Sequence, residues 1–383
     1  MEIPAASVVS ALMLTKFRIA IFLFIATFAM VCNRSSAADS VSLAGNWRFA
    51  LDASDSGIRD KWFDRDLTDK IALPGILQAQ GYGKEISVET PWVLSLYDPL
   101  WFLRADYSAY TNAGNVKVPF LSQPPRHYLG AAWYQRDIEI PPDWKGRRVV
   151  LFLERPHWES RVWLDDTLIG TNNSLCAPHE YELGVGIAPG KHRLTVRVDN
   201  RMIMAYRPDA HSVSDSLGGA WNGIVGKMEL RASDNICIER LRLDPDLKRA
   251  GVVVTLFTHN GTDKPAEAPL VRLQVIPKNF SSNALPSLQK SAVIPPGDTN
   301  LTLFFPMDEH FERWSEFNPK IYNLRATIGG KGFHSEIAET FGMRNFRAEG
   351  NRLILNGREI YLRGTHNGGD FPLTGYPPTD VAS

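Results

Sequence analysis

A mainly β chain is what this sequence predicts: a β-sandwich of the jelly-roll kind, followed by an immunoglobulin-like sandwich. Three observations predict it. Short apolar–polar alternations recur from about residue 41, turn signals punctuate them, and no helical stretch is long enough to cover a parallel sheet. The run Val149-Val150-Leu151-Phe152-Leu153 is short, apolar and bounded by charge, as a buried strand is. Arg161–Asp165, Arg193–Val198 and Lys227–Leu230 alternate apolar with polar side chains, the pattern of strands buried on one face. Pro141-Pro142-Asp143, Asp165-Asp166 and Pro189-Gly190 supply the turns between such runs. Together these make a sandwich or jelly roll over residues 39–231. A second all-β unit, 232–342, carries Val252–Phe257, Val271–Ile276, Leu301–Phe305 and Ile321–Ile328 as strands. Its loops, such as Pro295-Pro296-Gly297-Asp298, are rich in turn formers, and its length and strand number suit an immunoglobulin-like sandwich. A third segment begins at residue 343. There Leu353-Ile354-Leu355 and Ile360-Tyr361-Leu362 flank Asn356-Gly357, a hairpin signal because both turn residues tolerate positive φ.

Composition narrows the partners. Lys+Arg and Asp+Glu stand at 42 each, so no charge excess invites a nucleic acid or an anionic membrane. The apolar stretch Ile19–Val31, preceded by Lys16 and Arg18, is too short to span a bilayer and suits the core of a signal peptide. Ser36-Ala37-Ala38 then supplies the small residues of a cleavage site, so residues 1–38 are expected to be removed before Asp39. The product is expected to be exported, periplasmic or extracellular, with no membrane attachment after cleavage. Cys176 and Cys237 remain beyond that point; two distant cysteines make neither a disulfide framework nor a zinc motif.

Several segments occur in an order that resembles glycoside hydrolase family 2, the β-galactosidase, β-glucuronidase and β-mannosidase family. Leu43-Ala44-Gly45-Asn46-Trp47-Arg48-Phe49 resembles the opening strand, followed by Leu73-Pro74-Gly75 and Thr90-Pro91-Trp92. Ala132-Trp133-Tyr134-Gln135-Arg136-Asp137, Leu153-Glu154-Arg155-Pro156-His157-Trp158 and Val196-Arg197-Val198-Asp199-Asn200-Arg201 come next. Trp221-Asn222-Gly223-Ile224-Val225-Gly226 resembles the closing loop of the sugar-binding domain. Phe341-Gly342-Met343-Arg344 resembles the end of the immunoglobulin-like one. Leu355-Asn356-Gly357-Arg358-Glu359-Ile360-Tyr361-Leu362-Arg363-Gly364-Thr365-His366 resembles the handover to the catalytic (β/α)8 barrel. The resemblance implies that residues 343–383 are the start of a truncated barrel, of which roughly 250 residues are normally needed.

The family's reaction is retaining glycoside hydrolysis, which needs two carboxyl groups about 5–5.5 Å apart, one nucleophile and one acid/base. By resemblance both are glutamates of later barrel strands, and the acid/base follows an Asn. No Asn-Glu dipeptide occurs here, and past Gly350 the only acids are Glu359, Asp370 and Asp380. No catalytic residue, metal ligand or cofactor is therefore assigned. The resemblance makes Arg363, His366, Asn367 and Asp370 candidate sugar-binding residues, at or just past the end of the first barrel strand. Asp199, Asn200 and Arg201 are expected to brace the interdomain contact rather than reach the site, and Trp221-Asn222-Gly223 to form a packed turn rather than a contact. The aromatic-rich stretch Val93–Gly130 is expected to pack onto the sandwich rather than line a sugar groove. The leading reading is the amino-terminal part of an exported, β-galactosidase-like hydrolase acting on carbohydrate. A non-catalytic carbohydrate-binding sandwich and a split enzyme completed by a second chain are the alternatives. The sugar, its linkage and the oligomeric state are left open.

Overall fold

The computed structural model describes residues 39–112, 114, 116–117, 124–203, 207, 221–281, 285–307 and 311–365. It is a mainly β, multi-sandwich architecture. The first sandwich packs a six-stranded sheet on a five-stranded one, every pairing antiparallel. Across the six-stranded sheet the order is Thr167–Asn172, Glu159–Leu164, Gly190–Asp199, Ala131–Ile140, Gly45–Asp52 and Asp69–Leu73. Across the other it is Asp39–Ser42, Gly223–Ser233, Arg148–His157 and His179–Val185, with Gly75–Ile76 added beside Gly223–Ser233.

Alternation places the core. Tyr134, Ile138 and Ile140 of one strand and Leu194, Val196 and Val198 of its neighbour face Leu151, Leu153, Met228 and Leu230 across the sandwich, all nearly inaccessible to water. Each such side chain contributes about 1.5–3 kcal/mol through burial. Strand Ala131–Ile140 is buried on its other face too, because the loop after Asp52 folds back over Trp133 and Trp163 and makes a small second core with Leu67, Trp62 and Phe63. A strand covered on both sides loses the clean period-two signal, which is why Ala132-Trp133-Tyr134 reads as a continuous apolar run.

A three-stranded sheet (Ile236–Asp246, Gly251–Asn260, Gly297–Pro306) and a four-stranded one (Leu288–Ile294, Ala266–Pro277, Tyr322–Gly330, Phe333–Phe341) form the second sandwich. Val252, Val254 and Leu256 meet Leu273, Val275, Leu324 and Ala326 in its core. The junction between the sandwiches is polar. Arg148 reaches Glu182 at 3.2 Å and Glu239 at 3.0 Å, while the Arg147 guanidinium donates to the Ala232 carbonyl at 3.0 Å and pairs with Asp39.

The hairpin forms where Asn356-Gly357 places it, with φ of 53° and 85°, joining Arg352–Leu355 to Arg358–Ile360. Its second arm is shorter than expected. Tyr361 and Leu362 leave the strand and are 82% and 69% exposed. The pairing ends with Leu353 opposite Ile360; the next position of the partner, Arg352, is its first strand residue, and Leu362 would fall opposite the turn that precedes it. The hairpin is tied to the second sandwich by Asn356, whose amide donates to the Trp314 carbonyl at 2.9 Å, and by Arg358 on Glu316 at 2.6 Å.

The aromatic stretch after Trp92 differs from the expectation: its rings pack round a centre of their own rather than onto the sandwich core. Trp92 and Trp101 meet edge to face at 5.0 Å, with Tyr107 and Phe102 closing round them. Tyr97, Leu100 and Leu103 are left on the outside.

Candidate functional site

Of the four candidate sugar-binding residues, Arg363 lies in an exposed, extended segment after the hairpin. His366, Asn367 and Asp370 lie outside the described residues. Arg363 is thus the one of the four that the described residues include.

What it does build is a charged cluster at one end of the six-stranded sheet, on the face turned away from the main core. Strand alternation puts Arg197 and Asp199 on that face, beside Glu159 of the neighbouring strand. Asp199 is 5% exposed and Arg197 is 3% exposed. The Arg197 guanidinium donates to Asp199 at 2.8 Å and to Asp55 at 2.7 Å, and lies 3.7 Å from Glu159. Arg201 doubles back on the same carboxylate, its Nε donating to Asp199 Oδ1 at 2.9 Å and its terminal nitrogen to Asp55 at 2.7 Å. Beside them Asp52 accepts three bonds, from the backbone amides of Ser56 and Gly57 and from Trp133 Nε1.

Neutral groups frame the cluster. Asn200 accepts from the Gly130 amide at 2.8 Å and donates to the Tyr128 carbonyl at 2.8 Å. Asn222 accepts from the Tyr134 hydroxyl and donates to the Gly130 and Val198 carbonyls. A fully satisfied buried amide of this kind locks a segment. Asn222 is thus packed, as the sequence suggests, but the segment is not a turn: it leads directly into the strand Gly223–Ser233. Gly223 can be nothing larger, since a Cβ there would lie 2.2 Å from the Gly75 carbonyl oxygen.

The chemistry open to this cluster follows from its charge state. Burial raises the Asp199 pKa, but hydrogen bonds from Arg201 and the charges of Arg197 and Arg201 overcome it and hold the carboxyl below its ordinary value. A hydrogen bond from Arg201 does the same for Asp55 against a smaller burial effect. The carboxyls whose acidity the fold shifts, Asp55, Asp60, Asp137, Asp165 and Asp199, all move down. Glycosidase acid catalysis needs a carboxyl held protonated near neutrality beside an ionised one. This cluster holds anions in place. It is a brace, but one within the first sandwich: Asp55, Glu159 and Arg197, its other members, all belong to that unit, whereas the sequence leads one to expect a brace between domains. Sequence reasoning missed Asp55, Arg197 and Glu159, since Asp55 lies 142 residues from Arg197 along the chain. Only the register that sets Arg197 opposite Arg161 and Trp133 signals the outward face.

Two histidines carry a pH expectation. His179, fully buried, sits between Ser160, whose hydroxyl lies 2.6 Å from its Nδ1, and the Ser174 carbonyl at 2.8 Å from its Nε2. Half-buried His157 stacks on Trp221 at 4.6 Å and places Nδ1 2.6 Å from that residue's carbonyl oxygen. Burial lowers both pKa values, and the bonds to carbonyls only partly offset it. The unfolded chain therefore takes up these protons first as the pH falls. Their stabilisation is whole above about pH 6.5 and is lost as the pH falls through the lower folded values, by about 1.4 kcal/mol for each tenfold loss of proton affinity. His192, which Asp165 raises against its burial, acts in the opposite sense. Urea unfolding followed from pH 8 to pH 5 is expected to show falling stability, and His179→Gln to flatten part of that slope.

Among the described residues no three His, Cys, Asp or Glu side chains are grouped to hold a metal ion, and no helix is long and apolar enough to cross a membrane. The two cysteines are free, Cys176 exposed and Cys237 buried.

No family model matches the chain. Individual proteins do. It is 24% identical over 353 residues to a β-galactosidase of Oenococcus oeni, a match covering 85% of this chain and 29% of that protein. It is 19% identical to a β-glucuronidase of Paenibacillus borealis, covering 84% and 48%, and 21% identical to the β-galactosidase large subunit of Latilactobacillus sakei, covering 92% and 53%. Among solved structures, a β-glucuronidase from Ruminococcus gnavus in complex with uronic isofagomine superposes with a TM-score of 0.59 at 14% identity, over 86% of this chain and 49% of that one. A Bacteroides fragilis protein described as a candidate β-galactosidase gives 0.61 at 18%, over 85% and 44%. At these identities the structural likeness establishes the fold. The chain spans about a third to a half of the length of the relatives it matches.

Proposed function

We propose that this chain, a glycoside hydrolase family 2-like protein related to the β-galactosidases and β-glucuronidases, is the amino-terminal part of an exported β-galactosidase-like enzyme that hydrolyses O-glycosidic bonds. In this reading residues 1–38 are the signal peptide, 39–231 the sugar-binding jelly roll, 232–342 the immunoglobulin-like sandwich and 343–383 the start of the (β/α)8 barrel. The observation that carries it is the unbroken run of the likeness through both sandwiches, over 84–92% of the chain in three relatives. The charge states agree. Carboxyls clamped as anions suit a scaffold, and the acid/base and nucleophile belong to barrel strands outside these residues. Arg363, His366, Asn367 and Asp370 then contribute to the sugar subsite at the mouth of that barrel.

Two measurements test the reading. The 383-residue chain by itself is expected to release no nitrophenol from an aryl β-galactoside above background. Turnover that Asp370→Asn abolishes would instead place the reaction within this chain. The native product, captured from its own cells with an antibody to residues 39–342, is expected to have a mass far above 42.9 kDa. A mass near that value less the signal peptide would overturn this reading and leave a non-catalytic carbohydrate-binding sandwich or a split enzyme completed by a second chain.

A further inference from the structure

The outer face of the six-stranded sheet has a second end, opposite the Asp199 cluster. From Ala131, beside that cluster, to Asp137 the strand advances six residues, roughly 20 Å at about 3.3 Å each. There the sheet carries an open groove of about 530 Å³, lined by Phe63, Asp64, Asp137, Asp165, Asp166, Lys191, His192 and Arg193. That volume falls within the roughly 300–1,000 Å³ typical of small-molecule sites.

A column of rings forms one wall. Trp133 stacks on Trp163 at 5.1 Å, and Trp163 stacks on Phe63 at 5.3 Å with the rings 7° from parallel. The two indoles are buried, so Phe63 is held flat on a rigid support and its ring borders the groove. Around it the polar groups fall into two sets. Asp137, Asp165, His192 and Arg193 are engaged with protein: Arg48 binds Asp137 at 2.5 Å, His192 lies 2.8 Å from Asp165, and Arg193 binds Asp66 at 2.6 Å. Asp64 and Lys191 are exposed and make no side-chain hydrogen bond, and Asp166 is bonded only to its neighbour Thr167. The groove thus offers one aromatic ring held by the indole beneath it, with two exposed carboxylate acceptors and one exposed ammonium donor around it.

We infer that this groove is a carbohydrate subsite that takes a neutral pyranose. An aromatic ring flanked by carboxylates and an ammonium suits a sugar's two surfaces. The C–H face lies on the ring, and the edge hydroxyls donate to carboxylates and accept from a lysine. The charge selects within that class. Four aspartates against Lys191 and Arg193 leave the lining negative, so a uronic acid would meet repulsion that a neutral sugar does not. An open groove with one stacking ring binds weakly, near the millimolar range that corresponds to about −4 kcal/mol. The inference goes beyond the hydrolase reading and does not depend on it, since the binding assay involves no turnover.

Saturation-transfer NMR on the full chain tests it, with cellobiose and lactose as neutral probes and galacturonic acid as the anionic one. Binding of a neutral disaccharide is expected, at least tenfold weaker in Phe63→Ala, with galacturonic acid at least tenfold weaker than either. Phe63 packs on Trp163, so a misfolded Phe63→Ala would be uninformative. The exposed pair Asp64→Ala and Lys191→Ala disturbs no packing and is expected to weaken neutral binding severalfold each. Binding unchanged in both exposed variants, galacturonic acid bound as tightly as the neutral sugars, or no binding of any probe would overturn the inference. Failure of the groove would leave the mass measurement on the native product untouched, so the two readings fail separately.

Discussion

Asp199→Ala is expected to destabilise the first sandwich by about 3 kcal/mol or more, the cost of stranding a buried charge. Arg197 is almost wholly enclosed, and its Nε already finds no partner. Without Asp199 its guanidinium keeps one hydrogen bond to Asp55, whose side chain is 43% exposed, and a looser approach to Glu159. Arg201 also loses the carboxylate that folds it back on the sheet. Asp55→Ala removes the exposed partner and is expected to cost about 1 kcal/mol or less, in keeping with half-solvated ion pairs. Replacing the buried pair together, as Arg197→Met with Asp199→Leu, is expected to recover most of the loss, since the desolvation of both charges disappears with them. Urea unfolding monitored by tryptophan fluorescence checks all three, because the ten tryptophans lie chiefly in the first sandwich and its insertion. Equal losses for Asp199→Ala and Asp55→Ala would mean that burial of the pair is not what makes it matter.

Much of this fold was legible in the sequence, and for a common reason. Val252–Phe257 buries one face fully and the other in part. Arg193–Val198, though buried on both faces from Leu194 on, keeps polar Thr195 and Arg197 on the outer one, so the alternation survives in both. Asn356-Gly357 announced its hairpin because only residues tolerant of positive φ fit there. Two features were not legible. The extent of the last strand is a fact about its pairing, which ends with Ile360 opposite Leu353, rather than about Tyr361 or Leu362 themselves. The second core over Trp133 and Trp163 depended on a loop folding back across the sheet, and nothing in Gly57–Asp66 alternates to show it. The candidate site suffered in the same way. Asp199 and Arg201 stand two residues apart and could be read as a pair, while Asp55 reaches them only through the fold. The groove over Phe63 gathers residues from four segments, and no spacing in the chain links them.

Trp101→Ala is expected to unfold the aromatic insertion and leave both sandwiches standing. Trp101 is fully buried in a centre of its own, with Trp92 at 5.0 Å and Tyr107 at 5.7 Å, each edge to face. That centre has no ring in common with the main core, and its backbone is held by short local turns such as Trp101 onto Asp98 and Arg104 onto Trp101. Neither Trp92 Nε1 nor Trp101 Nε1 has a hydrogen-bond partner, so packing alone fixes the two indoles. Removing a buried tryptophan costs about 3–5 kcal/mol. A unit of this size, with two large rings at its centre, has no comparable reserve, and the loss falls on it rather than on the sandwich beneath. Limited proteolysis is therefore expected to nick Trp101→Ala within residues 93–130 at protease levels that spare the native chain, while the midpoint of the main unfolding transition moves little. Phe102→Ala, at the rim of the same cluster, is expected to give a milder version. Loss of the main transition in Trp101→Ala would show instead that the insertion is a structural part of the first sandwich, with its rings holding the sheet rather than one another.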